Sequence, residues 1–185
     1  MLEVKNNQKS FSDPTESFPA QKNVYEQTTN HFFMVKSLTF SSNKLSIEDN
    51  SFIKKDSKIQ SPKSKALLEW TALSDILLKE GLTLHIYECL DKETPDALFP
   101  NDWFSTHRNQ DGTKCLCLYP MFLENRRKEK KESIIKHLLA GYSEIVDLSL
   151  YEKRPDPLFL EGTGSLVLDR VNRKAFAALS KRTNP

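Results

Sequence analysis

Apolar residues recur along the chain in segments whose spacing predicts alternating strands and helices. FFMVKSL, residues 32–38, is the first strand candidate. Residues 65–80 carry Leu67, Leu68, Ala72, Leu73, Ile76 and Leu77 at helical spacing, which predicts an amphipathic helix. TLHIYEC, residues 83–89, predicts a strand, and the turn pair Asp111-Gly112 leads to another in TKCLCLYPM, residues 113–121. Ile134, Ile135, Leu138 and Leu139 form the apolar stripe of a helix over 125–139, with Asn125 placed to cap it. Strands are expected again at 144–151 and 165–170, and a short helix or turn at 172–180. This alternation places the chain in the α/β class.

The pattern repeats. LLKEG ends at Gly81 and HLLAG ends at Gly141; Asp96-Ala-Leu-Phe99 and Asp156-Pro-Leu-Phe159 agree in three of four letters. The offset between the copies is 60 residues, held from helix end through strand to a polar loop, and it puts Asn101 in register with Glu161. Gly after an apolar-periodic run is a usual helix stop, because it enters the left-handed region without a Cβ penalty. Pro95 and Pro100 disfavour a paired central strand between them, so Asp102 is expected at a strand end or in a loop. Glu161-Gly-Thr-Gly164 is expected as a tight turn.

A length of 185 residues suits one domain. A net charge of +2 with 28% charged residues favours neither nucleic acid nor a membrane as partner. Residues 1–24 are rich in Lys, Asn, Gln, Ser and Pro; they are expected to be disordered, and residues 25–185 to form the folded domain. No apolar run is long enough for a signal peptide or a transmembrane span, which makes the cytoplasm the default location. Residues 39–64 read as a solvated polar insertion with room for a short helix. Cys115 and Cys117 share one strand face, but a zinc site needs further ligands and Cys89 is isolated from them, so all three read as buried thiols in a reducing compartment. His85 reads as a packed strand residue. Arg126, Arg127, Lys128, Lys130 and Lys131 crowd a helix N-terminus and oppose its dipole by about a few tenths of a kcal/mol each. That points either to function or to ordinary surface charge.

Four blocks carry a resemblance to a known superfamily: PDALFPNDWFSTH from Pro95, LYPMFLENRRKEKK from Leu118, FLEGTGSLVLDR from Phe159 and LSKRTN from Leu179. In order and approximate spacing the chain resembles the guanidino-group-modifying enzymes of the pentein fold. It looks most like the dimethylarginine dimethylaminohydrolases and the citrulline-utilisation hydrolases, over about residues 30–185. The resemblance implies an α/β-propeller of ββαβ-type repeats, five blades around one active site, of which this chain has length for about three. The family's catalytic His and nucleophilic Cys lie further along than LSKRTN, so the chain resembles the N-terminal part of such an enzyme.

The implied reaction is hydrolysis of a guanidino or ureido C–N bond in an arginine derivative, with no metal and no organic cofactor. A thiolate attacks the central carbon and a His moves protons. By resemblance, Asp102 would hold the guanidino nitrogens with Asn101 beside it, and Glu161 would be catalytic, orienting the imidazole. Asp96, Arg126 and Arg182 match substrate-contact positions, the arginines suiting an α-carboxylate. Asn101 stands where the dimethylarginine hydrolases carry an acid, and EGTG replaces the usual Glu-Gly-Gly-Asp. Both changes remove negative charge, which disfavours dimethylarginine and favours a neutral ureido group such as that of citrulline. The alternative is a non-catalytic fragment or pseudoenzyme that binds a cationic amino acid or a protein partner.

Overall fold

The computed structural model describes residues 26–47 and 62–185; the disorder expected of residues 1–24 lies outside them. The described residues form three small sheets that do not close on one another. β1 (His31–Ser37) and β2 (Thr83–Cys89) pair in parallel, His31 beside Thr83 and Ser37 beside Cys89. A parallel pair needs a crossover, and α2 (Pro62–Lys79) supplies it. The second sheet is β3 (Phe104–Arg108), β4 (Lys114–Leu118) and β5 (Glu144–Asp147). β3 and β4 form an antiparallel hairpin, and β5 joins β4 in parallel. β6 (Leu166–Asp169) and β7 (Lys174–Ala177) form the third sheet, another antiparallel hairpin.

The repeat read from sequence is visible as topology. Hairpin, helix and parallel strand make one complete ββαβ unit in the middle sheet. β1, α2 and β2 repeat its second half, and β6 with β7 repeat its first. Helices α2 and α4 (Glu132–Leu139) end just before Gly81 and Gly141. Gly81 stops its helix at φ +79°, a conformation that favours glycine.

The core lies where the first two sheets meet α4. Leu116 and Leu118 leave one face of β4 and pack with Phe104 on β3, Val35 on β1, Tyr87 on β2 and Ile134 and Leu138 on α4. Trp103 (1% exposed), Leu116 (0%) and Met121 (0%) sit at its centre. Residues i and i+2 of a strand share a face, so Cys115 and Cys117 occupy the opposite one.

Several elements differ from expectation. The helix expected over 125–139 is two: α3 (Glu124–Arg127) and α4, with Leu123 rather than Asn125 at the N-cap of the first. The break turns Arg126, Glu129 and Lys130 inward, where Lys130 pairs with Glu152 and also donates to Tyr119 O at 3.1 Å. β5 ends at Asp147, whose carboxylate accepts from Ser149 N–H at 2.9 Å and starts a 3-10 turn over Leu148–Lys153. The EGTG turn is one helical turn, α5 (Gly162–Ser165). Residues 172–180, expected as a helix or turn, contain β7; Arg173 at φ +57° and the Asn172–Asp169 hydrogen bonds close the hairpin. Cys115 is buried, whereas Cys89 and Cys117 are half-buried. α2 exposes Leu68 (71%) and Ile76 (58%), so its apolar face is covered only in part.

The polar stretch 39–64 was expected to be solvated. Its described part contains α1 (Lys44–Ile47), and Asn43 and Ser46 there are buried, 3% and 4% exposed. Asn43 Oδ1 accepts from Leu45 N–H, while Asn43 Nδ2 donates to Asp96 Oδ2 at 2.6 Å. Hydrogen bonding, not apolar area, draws this segment in.

Candidate functional site

The site is built where the two repeat loops meet. Pro100–Asp102 is a 3-10 turn that delivers the chain into β3, so Asp102 stands at a strand entrance, as the prolines required. Sixty residues on from Asn101, Glu161 occupies the N-cap of α5. Asn101 Nδ2 donates to Thr163 Oγ1 at 2.8 Å and to Asp102 Oδ1 at 2.9 Å, which ties the loops together. Their approach depends on two glycines. A Cβ on Gly162 would lie 2.5 Å from Asn101 O; one on Gly164 would lie 2.9 Å from Asp102 Oδ1 and 3.5 Å from Glu161 Oε2. The surface of Gly164 is therefore a spot on which two carboxylates converge.

Each carboxylate is anchored from behind. Glu161 is 1% exposed; its Oε1 accepts from Phe122 N–H at 3.1 Å and its Oε2 from Arg182 Nη1 at 2.9 Å. Asp102 Oδ2 accepts from Arg126 Nη1 at 2.8 Å. Arg126 is 4% exposed, and its remaining donors go to both oxygens of Glu129 and to Phe99 O. Burial works against the Arg126 charge, but Glu129 and Asp102 outweigh it and hold the guanidinium protonated above its ordinary range. Burial also pushes the Glu129 carboxyl up to about 7, with Arg126 opposing. One guanidinium thus serves two carboxylates, Glu129 buried and Asp102 half-buried.

Of the residues singled out from sequence, Asn101, Asp102 and Arg126 are joined by hydrogen bonds and Glu161 pairs with Arg182; the Asn101–Thr163 bond brings the first group to the turn that carries Glu161. The arginines face inward: Arg126 supports Asp102, and Arg182 pairs with Glu161. Asp96 stands to one side. It accepts from Asn43 Nδ2 and from Ser46 Oγ, and Asn43 in turn accepts from Asn125 Nδ2, beside Arg126 in the chain. Sequence reasoning missed Asn43, Glu129, Thr163 and Gly164. Glu129 three residues after Arg126 was a readable ion-pair spacing; Asn43 in a polar loop carried no signal. Among the described residues no group of three or more His, Cys, Asp or Glu is arranged to hold a metal ion. Burial pushes the Cys115 and Cys117 thiols up, which disfavours a thiolate at either.

A sequence model of the family described as N,N dimethylarginine dimethylhydrolase, eukaryotic, matches residues 36–185. No curated protein matches the chain. A solved dimethylarginine dimethylaminohydrolase, in adduct with S-methyl-L-thiocitrulline, superposes with a TM-score of 0.56 at 20% identity, over 83% of this chain and 52% of that one. The N-terminal domain of ArgZ bound to substrate, an arginine dihydrolase of cyanobacteria, superposes with a TM-score of 0.56 at 19% identity, over 83% and 50%. AgrE with L-arginine gives 0.51 at 24% identity, over 80% and 19%. These likenesses show a shared α/β fold. The chain spans about half the length of the first two structures.

Proposed function

This chain belongs to the N,N dimethylarginine dimethylhydrolase family, and from that premise we propose that its site binds the guanidino or ureido end of an arginine derivative. The observation that supports this is the convergence of Asp102 and Glu161 over Gly164. Two carboxylates that meet above a residue with no side chain are acceptors of the kind that take the paired N–H bonds of a flat guanidino or ureido group. Asn101 in place of an acid lowers the negative charge beside that pair, so a neutral ureido group as in citrulline is the preferred ligand and dimethylarginine the weaker one. Asp102 holds the ligand nitrogens, Arg126 acts through Asp102, and Glu161 orients an imidazole when one is present. Asp96 and Arg182 take the amino and carboxylate ends of the ligand, Arg182 exchanging its bond to Glu161 for one to the ligand.

Cleavage of the C–N bond needs a thiolate and a proton shuttle within reach of each other. Neither Cys115 nor Cys117 is suited to be that thiolate. We therefore assign to this 185-residue chain binding without turnover, and to a longer form, closing into the five-bladed ring, hydrolysis. The three free thiols suit a cytosolic protein. No helix among the described residues is long and apolar enough to cross a membrane.

The test combines calorimetric titration with an ammonia and amine release assay, using citrulline, arginine and methylated arginines. The chain should bind citrulline and release nothing. Gly164→Ala should weaken binding at least ~10-fold, the ~1.4 kcal/mol equivalent of one lost hydrogen bond. Asp102→Ala should weaken it as well. Binding indifferent to both substitutions would remove the site assignment, and turnover that survives loss of all three cysteines would remove the mechanism.

A further inference from the structure

Ser105 and His107 lie two residues apart on β3, so both leave the same face of the sheet. Cys117 of β4 stands opposite Ser105, and Cys115 opposite His107. Ser105 Oγ is 2.6 Å from His107 Nε2 and 2.7 Å from Tyr119 Oη. Ser105 and Tyr119 are buried and His107 is half-buried. The far end of this chain touches the carboxylate turn: a Cβ on Gly162 would meet the Tyr119 ring at 3.1 Å. Contacts thus run from His107 through Ser105 and Tyr119 to the residue that follows Glu161.

A hydroxyl carries one proton, so Ser105 can donate to only one of its two neighbours. While Nε2 of a neutral His107 is the acceptor, Ser105 donates to it and accepts from Tyr119. Once Nε2 carries a proton, it donates to Ser105, which must turn its own proton toward Tyr119. The phenol keeps its proton and turns its O–H away from Ser105 toward the Cys117 sulfur, its other hydrogen-bond neighbour. With the neutral imidazole in its Nδ1–H tautomer, the charge of His107 therefore sets the direction of the bonds between His107, Ser105 and Tyr119. Ser105 does not read as a nucleophile, being buried and bonded on both sides.

We propose that Tyr119, Ser105 and His107 are positioning residues for the Glu161–Gly164 turn, and that the protonation of His107 is transmitted to that turn through the phenol. Its functional meaning rests on the binding reading given above. The groups that face His107 are Arg170 at the end of β6, Cys115 and Cys117 on β4, Glu144 beyond Cys115 on β5, and Tyr119. Arg170 also donates to Thr106 O at 2.6 Å. Burial first, and Arg170 second, hold His107 below the ordinary histidine range. The neutral direction is thus the resting one at neutral pH, and the reversal belongs to mildly acid solution.

The test is a pH titration followed by nitrogen-15 NMR on the whole chain, without ligand. Its five glycines make the Gly162 and Gly164 amides few to assign. The Gly162 amide should inflect at the pH where the His107 imidazole titrates. In Ser105→Ala and in Tyr119→Phe that inflection should vanish while His107 still titrates. His107→Gln, whose amide oxygen can accept from Ser105, should hold Gly162 at its high-pH position throughout. No inflection at the His107 midpoint, or one that persists in Tyr119→Phe, overturns the proposal; if that variant does not fold, Ser105→Ala makes the same discrimination. Because no ligand is present, a failure of citrulline to bind would count against the proposed function and leave this result standing.

Discussion

Arg126 donates to Asp102, Glu129 and Phe99 O from a position that is 4% exposed. In the linear sequence it is one of five cations near a helix start, set apart from Arg127 and Lys128 by the family resemblance and by Glu129 three residues on, neither of which shows that it is buried. Burial makes the difference. Removing one partner of a buried ion pair leaves a charge with neither water nor counterion, which costs about 3–5 kcal/mol. Arg126→Ala should lose that much stability in urea unfolding, and Arg126→Lys should recover little, since an ammonium cannot span both carboxylates. A loss below about 1 kcal/mol, the range of exposed pairs, would show that Glu129 and Asp102 do not depend on it.

At the scale of elements, strand and helix identity followed apolar period wherever one face is buried, as in β2, β4 and α4. It failed where polar contacts decide. The split between α3 and α4 serves the Arg126–Glu129 and Lys130–Glu152 pairs, and β7 exists because a hairpin turn brings it back onto β6. β1, β2 and α4 also carry a cluster of three histidines: His85 stacks on His31 at 5.8 Å between ring centroids and lies 6.4 Å from His137. Burial, then His31, then His137 lower the His85 pKa from 6.5. The unfolded chain thus binds the proton more readily than the folded one. The stability His85 contributes is complete above about pH 6.5 and is lost as pH falls below it. Between pH 7 and 5 the Glu129 carboxyl, pushed up to about 7, gains stability on protonation while His85 loses it, so the His85 contribution is read as a difference. His85→Gln should hold its melting temperature better than the unsubstituted chain as pH falls from 7 to 5. An equal slope in the variant would place the dependence elsewhere.

For the whole molecule, cover is uneven. The middle sheet has α4 on one face and holds Leu116, while β6 and β7 expose Val167 (70%) and Phe176 (58%). Local stability follows buried contacts. Hydrogen exchange should therefore be slowest at β3 and β4 and fastest at β7; β7 amides protected like those of β4 would show the third sheet to be as firmly held as the second. The repeat and the α/β class could be read from the chain alone, because a 60-residue period and proline- and glycine-bounded strands are local properties of it. Tertiary structure alone decided that Arg126 and Arg182 face carboxylates of the chain, that Asn43 is buried beside Asp96, and that Gly164 is the floor between Asp102 and Glu161. Those facts depend on how close two loops come, and that distance is set by packing between segments far apart in sequence.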